Sequence, residues 1–530
     1  MEVSLKEGAP RLESIVEEVY RHVRDVAKGQ LDWDLAPQTS LYEVGLDSLA
    51  RMEVVNRLEE AFSIRFREES LYDLETCRDL VALIAEHLSV SLEETANEPA
   101  NVPEGGAVPP IAPEHGGASQ SDVTESDVTQ FAEVVGFDER LALAAAAGLQ
   151  SPFFRVSDGV QGAVATIGGR QAISYTSFDY LGMAGDARVA AAAKEAIDRF
   201  GTSASASRLV GGNSSILQEL DDEIASFLGA EAATVFPSGY GTNASLLGHL
   251  FGKEDMILYD ELSHNSIVQG SLLSPARKRP FPHNDFAFVD RLLSDVRGKY
   301  RRVVIAIEGV YSMDGDYPDL PEFIEVKNRR RALLYVDEAH SIGVMGPSGR
   351  GICEHFGIDP VEGDLWMGTI SKALGSGGGY MAGRAPLIEY LKYTTPSFVF
   401  ATACSPANAA AALAAVRIAR LEPQRVARLK DRAILFARLA CDAGLDIGNS
   451  HDTPIVPVIL GDSLKCVQTS HALLRHGIDA QPILYPAVPE KAARIRFFIT
   501  AKHTEDQICH TVEVLARCLD GGNDALDGSS

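Results

Sequence analysis

Residues 365–373 read LWMGTISKA: an apolar run closes on Thr369, Ile370, Ser371 and Lys372, and the glycine-rich GSGGG of 375–379 follows. A short apolar run bounded by glycines reads as a buried strand. A lysine at its end is placed to form a Schiff base with an aldehyde. Most lysines are solvated surface groups, so what this one does depends on what converges on it. Beyond Gln130 short β-branched runs alternate with amphipathic helices, which predicts an α/β domain with a mostly parallel sheet. In such sheets ligands bind beyond the carboxyl ends of the strands, so the residues after each strand carry the chemistry.

ATVF (233–236) runs into Pro237, Ser238, Gly239, Tyr240, Gly241, Thr242 and Asn243, where a helix begins. A glycine-containing turn at a helix N-terminus cradles phosphate through its N–H groups and the helix dipole. MILY (256–259) is followed by Asp260, Glu261, Leu262, Ser263 and His264, and VVIAI (303–307) by Glu308, Gly309, Val310, Tyr311 and Ser312. ALLYV (332–336) delivers Asp337, Glu338, Ala339 and His340. Singly, each is an ordinary loop polar group. Together, a phosphate cradle, an aspartate for a ring nitrogen and a lysine for an aldehyde are what pyridoxal phosphate needs.

At 530 residues the chain exceeds what one hydrophobic core usually supports, so at least two folding units are expected. A formal charge of −26, with no clustered basic stretch, argues against nucleic acid or an anionic membrane as partner. Seven cysteines, widely spaced and without CxxC pairs, point to a reduced protein without a disulfide framework or a metal site. No membrane-spanning apolar run occurs and the N-terminus has no apolar signal region, so the expected location is the cytoplasm.

Upstream lies a small unit at 8–90. LESIVEEVYRHVRDV (12–26) sets Leu12, Ile15, Val16, Val19, Val23 and Val26 on one helical stripe. A second helix is expected to open at Asp47 and Ser48, with Leu49, Met52, Val55, Leu58 and Phe62 on its apolar face, and a third ends near Leu88. From 91 to 128 the composition turns to Pro, Gly, Ser and acid, which reads as a flexible linker. A PLP-binding domain would then occupy 129–520, with a smaller C-terminal part from about 405 to 520.

The GLDSL of 45–49, at the head of an acidic helix in a three-helix unit, resembles the acyl or peptidyl carrier proteins. The resemblance implies 4′-phosphopantetheine on Ser48, attached by a phosphopantetheinyl transferase and charged by an acyl-loading enzyme. Glu53, Glu59 and Glu60 would face partner enzymes.

The larger unit closely resembles the α-oxoamine synthase family of fold type I PLP enzymes, the group of 8-amino-7-oxononanoate synthase and serine palmitoyltransferase. The motifs that carry it are SFDYLGM (177–183), GTSASASRLVGGN (201–213), FPSGYGTN (236–243), DELSHNSIVQG (260–270), EGVYSMDGD (308–316), YVDEAHSIGVMGPSGRG (335–351), TISKALGSGGG (369–379) and RIRFFITAKHT (494–504). The implied architecture is a large domain with a mostly parallel sheet and a smaller C-terminal α/β domain, in a homodimer with shared sites.

The same resemblance implies the roles. Lys372 would carry the cofactor aldehyde and move protons, Asp337 pair with the ring nitrogen, and His264 stack on the ring and help hold a thioester. His340 and Ser312 would lie near the ring hydroxyl. Ser238, Gly239, Tyr240 and Thr369 would bind phosphate, joined by Thr402 of the partner subunit. Arg496 would clamp an amino-acid carboxylate, and Asp179 would contact substrate. Family members often carry NN or YN before YLG where Phe178 and Asp179 stand here, a frequent histidine is replaced near Leu217, and Ser371 stands where some have glycine. The implied activity is decarboxylative condensation of a small α-amino acid with an acyl thioester. Two alternatives stay open on the residues alone: aminotransferase or aldolase chemistry on the same fold, and a non-catalytic scaffold with a carrier module.

Overall fold

The structure is a computed structural model. It describes residues 12–27, 36–37, 41, 54–55, 57–59, 61–62, 64, 76–88, 127–146, 150–484 and 487–519. The chain divides into two compact units, Met1–Phe131 and Ala132–Ser530.

In the first unit, helix α1 (Leu12–Val26) buries Leu12, Ile15, Val19 and Val23, with Val16 and Val26 packed at the margin. They meet Val54, Val55 and Leu58 of a second helical stretch and Cys77, Leu80 and Ile84 of helix α2 (Cys77–His87). Glu59 does not face outward as the carrier resemblance implies: it is buried. It lies four residues from Val55 and three from Phe62, so one helix face carries all three toward the core. Ser48, Glu53, Glu60, Leu49, Met52 and all but the last two residues of the 91–128 linker lie outside the described residues.

The second unit begins with helix α3 (Ala132–Ala146) and strands β1 (Ser157–Asp158), β2 (Val164–Ile167) and β3 (Arg170–Ser174). Its main sheet holds β4 (Ala232–Phe236), β5 (Met256–Asp260), β6 (Arg277–Phe281), β7 (Val303–Glu308), β8 (Leu333–Asp337), β9 (Leu365–Thr369) and β10 (Gly379–Gly383). Their order is β4-β10-β9-β8-β7-β5-β6, and β10 runs antiparallel to both neighbours. The expected strands 233–236, 256–259, 303–307, 332–336 and 365–369 are all present. They were readable because a parallel strand covered on both faces is a continuous apolar run, and β7 is buried at every residue.

Two strands of this sheet are not legible in the sequence. β6, RKRPF, is the edge of the sheet, where Arg277 and Lys278 are partly exposed, although Arg279 is buried. β10, GYMAG, looks like turn sequence, yet a β-carbon at Gly379 would stand 2.7 Å from the Gly239 Cα, so small residues are what let it pass beneath the β4 turn.

The smaller layer is the antiparallel sheet formed by β11 (Ile455–Ile459), β13 (Gln481–Ile483) and β14 (Arg494–Phe498), in the order β11-β14-β13. β12 (Ile478–Asp479) pairs in parallel with β3, so the N-terminal hairpin is built into this layer and Tyr175 joins its core with Phe436, Ile495 and Phe497. No helix among the described residues is long and apolar enough to cross a membrane.

A buried ion pair fastens the 201–213 loop to the sheet. Arg208 donates to both Asp221 carboxylate oxygens, at 3.0 and 2.7 Å, and Asp221 also accepts from the Val235 amide at 2.8 Å. Burial pushes the Asp221 carboxyl up and Arg208 pulls it back down. Arg208→Ala strands that carboxylate, and the expected loss is about 3–5 kcal/mol of stability. The check is calorimetric: the deficit shrinks as the pH falls and Asp221 takes up a proton.

Candidate active site

At the carboxyl ends of β4, β8 and β9 lies a cavity of about 350 Å³ lined by Ser238, Gly239, Tyr240, His264, Asp337, His340, Thr369 and Lys372, among others. Such a volume suits a small-molecule cofactor. One end is the N-terminus of helix α4 (Gly239–Leu250), capped by Ser238, whose hydroxyl accepts from the Gly241 amide at 3.1 Å. The first amides of a helix have no acceptor within it, so this end attracts an anion. Thr369 stands beside it, its hydroxyl donating to the Gly378 carbonyl at 2.8 Å and sharing a 2.6 Å hydrogen bond with Ser371. A β-carbon on Gly239 would press to 3.0 Å from the Thr369 Oγ1, so glycine keeps the cradle open.

At the other end Asp337 closes β8. Its carboxylate accepts from Asn243 Nδ2 at 2.6 Å and from the Ala339 amide at 2.9 Å. Asn243 is itself oriented by the Tyr335 hydroxyl, which donates to its Oδ1 at 2.6 Å, and Nδ2 also reaches Ser266 Oγ at 2.8 Å. Ser266 in turn holds His264: its hydroxyl lies 2.7 Å from Nδ1 and its amide donates there at 3.3 Å. Tyr335, Asn243, Asp337, Ser266 and His264 are thus one network. Burial holds the His264 ring below the usual histidine pKa, with Lys372 and Arg496 lowering it further against Asp337. A neutral ring that accepts at Nδ1 carries its proton on Nε2. The His264 amide donates to Glu308, a fully buried carboxyl pushed well up by burial and by Asp337.

Lys372 lines the same cavity. Burial depresses its amine below an ordinary lysine, partly offset by Asp337 and Glu308. His340 shares a 2.8 Å hydrogen bond with the Tyr180 hydroxyl through Nδ1, and its ring lies parallel to Phe498. Burial, then Lys372 and Arg496, keep His340 neutral.

Arg496, on β14, spreads over the Phe498 ring at 4.4 Å and donates to the Ser312 carbonyl at 2.8 Å. Among the described residues it has no carboxylate partner, whereas Arg494, two residues earlier, is paired with Asp314 at 2.6 Å. Desolvation lowers its guanidinium to about 10.

Four expected residues do not line the cavity, and Arg496 is one of them. Asp179 does not line the cavity: its carboxylate accepts the amides of Met183 at 2.7 Å and Ala184 at 3.2 Å, holding its own turn. Ser312 meets Arg496 through its backbone and is not a cavity-lining side chain. Thr402 is exposed and outside the cavity of its own protomer. Conversely, Asn243, Ser266, Tyr335 and Glu308 had no assigned role; Asn243 and Ser266 stand inside FPSGYGTN and DELSHNSIVQG, where their place in the motif was the available signal.

Residues 171–515 match the family described as aminotransferase class I and II, and 21–84 match the phosphopantetheine attachment site. The chain is 42% identical over 357 residues to the 8-amino-7-oxononanoate synthase of Fervidobacterium nodosum, covering 67% of this chain and 90% of that one. The Symbiobacterium thermophilum enzyme of the same name is 40% identical over 351 residues, 66% and 89% of the two chains. The chain belongs to the α-oxoamine synthases. Among solved structures, the Sphingomonas wittichii serine palmitoyltransferase aligns with this synthase at a TM-score of 0.71 and 31% identity, covering 74% of this chain and 98% of that one. The synthase is a PLP-dependent C-acyltransferase, and its N-terminal unit is a phosphopantetheine-bearing domain.

The cavity fits that cofactor by its own chemistry. An anion cradle, a hydrogen-bonded carboxylate and a desolvated amine share its lining.

Proposed function

We propose that this synthase joins glycine, alanine or serine to an acyl group carried as a thioester on the phosphopantetheine of its own Ser48. A carbon–carbon bond forms between the amino-acid α-carbon and the acyl carbonyl carbon, the carbon–sulfur bond breaks, and the thiol leaves on the arm. The carboxylate departs as CO₂, leaving an α-amino ketone. The observation that carries the reading is Arg496: a desolvated guanidinium that, among the described residues, meets a carbonyl, the Met313 sulfur and the Phe498 ring but no carboxylate suits the carboxylate of an incoming amino acid.

Pyridoxal phosphate, when bound, supplies an electron-withdrawing ring that delocalises charge from the α-carbon. The remaining work falls to the chain. Gly239, Tyr240 and Thr369 hold the phosphate, with Ser238 shaping their turn and Thr402 of the partner subunit completing the cradle in a homodimer. Asp337, fixed by Asn243, keeps the ring nitrogen protonated. His264, kept neutral, would stack on the bound ring and help hold the thioester. Lys372 would hold the aldehyde of the cofactor, and its amine, when free, would take the α-proton. Its depressed pKa favours the free base this requires. His340, steadied by Tyr180, borders the ring.

The carrier makes delivery intramolecular, at roughly millimolar effective concentration. A phosphopantetheinyl transferase and an acyl-loading enzyme are then required partners. Seven widely spaced cysteines without CxxC pairs suit a reducing compartment, and we assign the cytoplasm.

Arg496→Lys tests the clamp. Losing a charge-assisted bidentate hydrogen bond costs about 1.5–3 kcal/mol, so the amino-acid KM is expected to rise on the order of 10- to 100-fold. An unchanged KM for every amino acid tried removes Arg496 from substrate binding. The amino acid itself is identified by incubating the loaded enzyme with each candidate and measuring CO₂ release.

A further inference from the structure

Glu338 lies between Asp337 and His340 in the chain and is 1% exposed. Its side chain turns away from the cavity. One carboxyl oxygen takes the Ser341 hydroxyl, and both lie 3.2 Å from the Ile352 amide. Its backbone amide donates to the Met367 carbonyl of β9 at 2.7 Å, and its carbonyl accepts the Ser341 and Ile342 amides at 3.1 and 3.0 Å. Glycines make room for this knot. A β-carbon on Gly309 would collide with Ser341, and one on Gly351 would lie 2.6 Å from both Glu338 oxygens. The Gly309 amide meanwhile donates to the Asp337 carbonyl at 2.8 Å. The buried carboxyl therefore ties the turn bearing Asp337 and His340 to the 351–352 turn, and backbone hydrogen bonds tie the same turn to the ends of β7 and β9.

We propose that Glu338 is a positioning residue: it sets the attitude of Asp337 and His340 toward the cofactor and places a second carboxyl charge behind Asp337. This rests on the assignment of Asp337 to the ring nitrogen. Geometry alone makes the link structural; the charge makes it functional. Burial, reinforced by Asp337 and opposed by Ser341 and the Ile352 amide, pushes the Glu338 carboxyl up to about 7. The other titratable groups against it are Cys353 on the helix Ile352–Phe356 and Tyr380 on β10, both kept neutral by burial. As the pH rises through neutrality Glu338 ionises, the field at Asp337 becomes more negative, and a protonated ring nitrogen there is favoured.

The test is equilibrium titration of the full-length apoenzyme with pyridoxal phosphate on either side of pH 7, followed by cofactor absorbance. Wild-type affinity is expected to rise with pH across that range. Glu338→Gln, nearly isosteric, is expected to keep only the part of that rise that Lys372 supplies, with a shallower slope than wild type, and to bind on the order of tenfold more weakly, as when a residue that orients a ligand-holding group is replaced. If Glu338→Gln lowers the melting temperature but keeps wild-type affinity and pH slope, Glu338 is only a structural knot and the proposal fails. Asp337→Asn is titrated in parallel. Unchanged affinity in that variant would overturn the assignment of Asp337 itself, a failure distinct from that of Glu338.

Discussion

Lys372→Ala is expected to lower turnover by on the order of 10⁴-fold or more, because in the proposed reaction it removes both the anchor for the cofactor aldehyde and the base that takes the α-proton. The measurement is CO₂ and α-amino ketone formed per enzyme after reconstitution, with the visible absorbance of the bound cofactor recorded alongside. Lys372→Arg sharpens the result. Arginine keeps a positive charge near Asp337 but stays protonated at every accessible pH, so it is expected to be as inactive as alanine. Recovery of activity by arginine would mean that Lys372 contributes charge alone. The pH dependence has a defined sign: burial depresses the amine, so in the wild type covalent loading of the cofactor rises with pH and reaches its plateau below the pKa of an ordinary lysine. Loading that only sets in above that value would contradict a desolvated amine.

Ser48→Ala is expected to reduce product formation to background when acyl groups are supplied only through a phosphopantetheinyl transferase and a loading enzyme. The catalytic unit is untouched by this change, so free acyl thioester added at millimolar concentration, about the effective concentration a tether provides, is expected to restore turnover. Undiminished product from the loading system without the serine would remove the carrier from acyl delivery. Failure of free thioester to restore turnover would mean that the carrier is needed for more than presentation. Mixing Ser48→Ala with Lys372→Ala protomers then asks whether delivery crosses between subunits.

The strand ends were legible because burial on both faces forces a continuous apolar run, and the first polar residues after it can only lie at the carboxyl edge. Lys372, Asp337, His264 and His340 stood out for that reason, and all four line one cavity. Edge exposure disguised β6, and close passage beneath the β4 turn disguised β10. Asp179 looked like a substrate contact from its place before YLG, but two amides within five residues of it satisfy its carboxylate. Glu59 looked like a surface acid until helical spacing carried it to the core flank.

By itself the sequence determined the class of sheet, the order of its strands' functional residues and, through motif resemblance, the family and its cofactors. All of these are local: a run of side chains, a turn, a helix start. What only the tertiary structure decided is how those residues are held. Asn243 reaches Asp337 across 94 positions, Tyr180 reaches His340 across 160, and Arg496 arrives on a strand of the smaller layer. A hydrogen bond needs donor and acceptor within about 3 Å, and spacing along the chain says nothing about that distance once the chain has folded back through a parallel sheet.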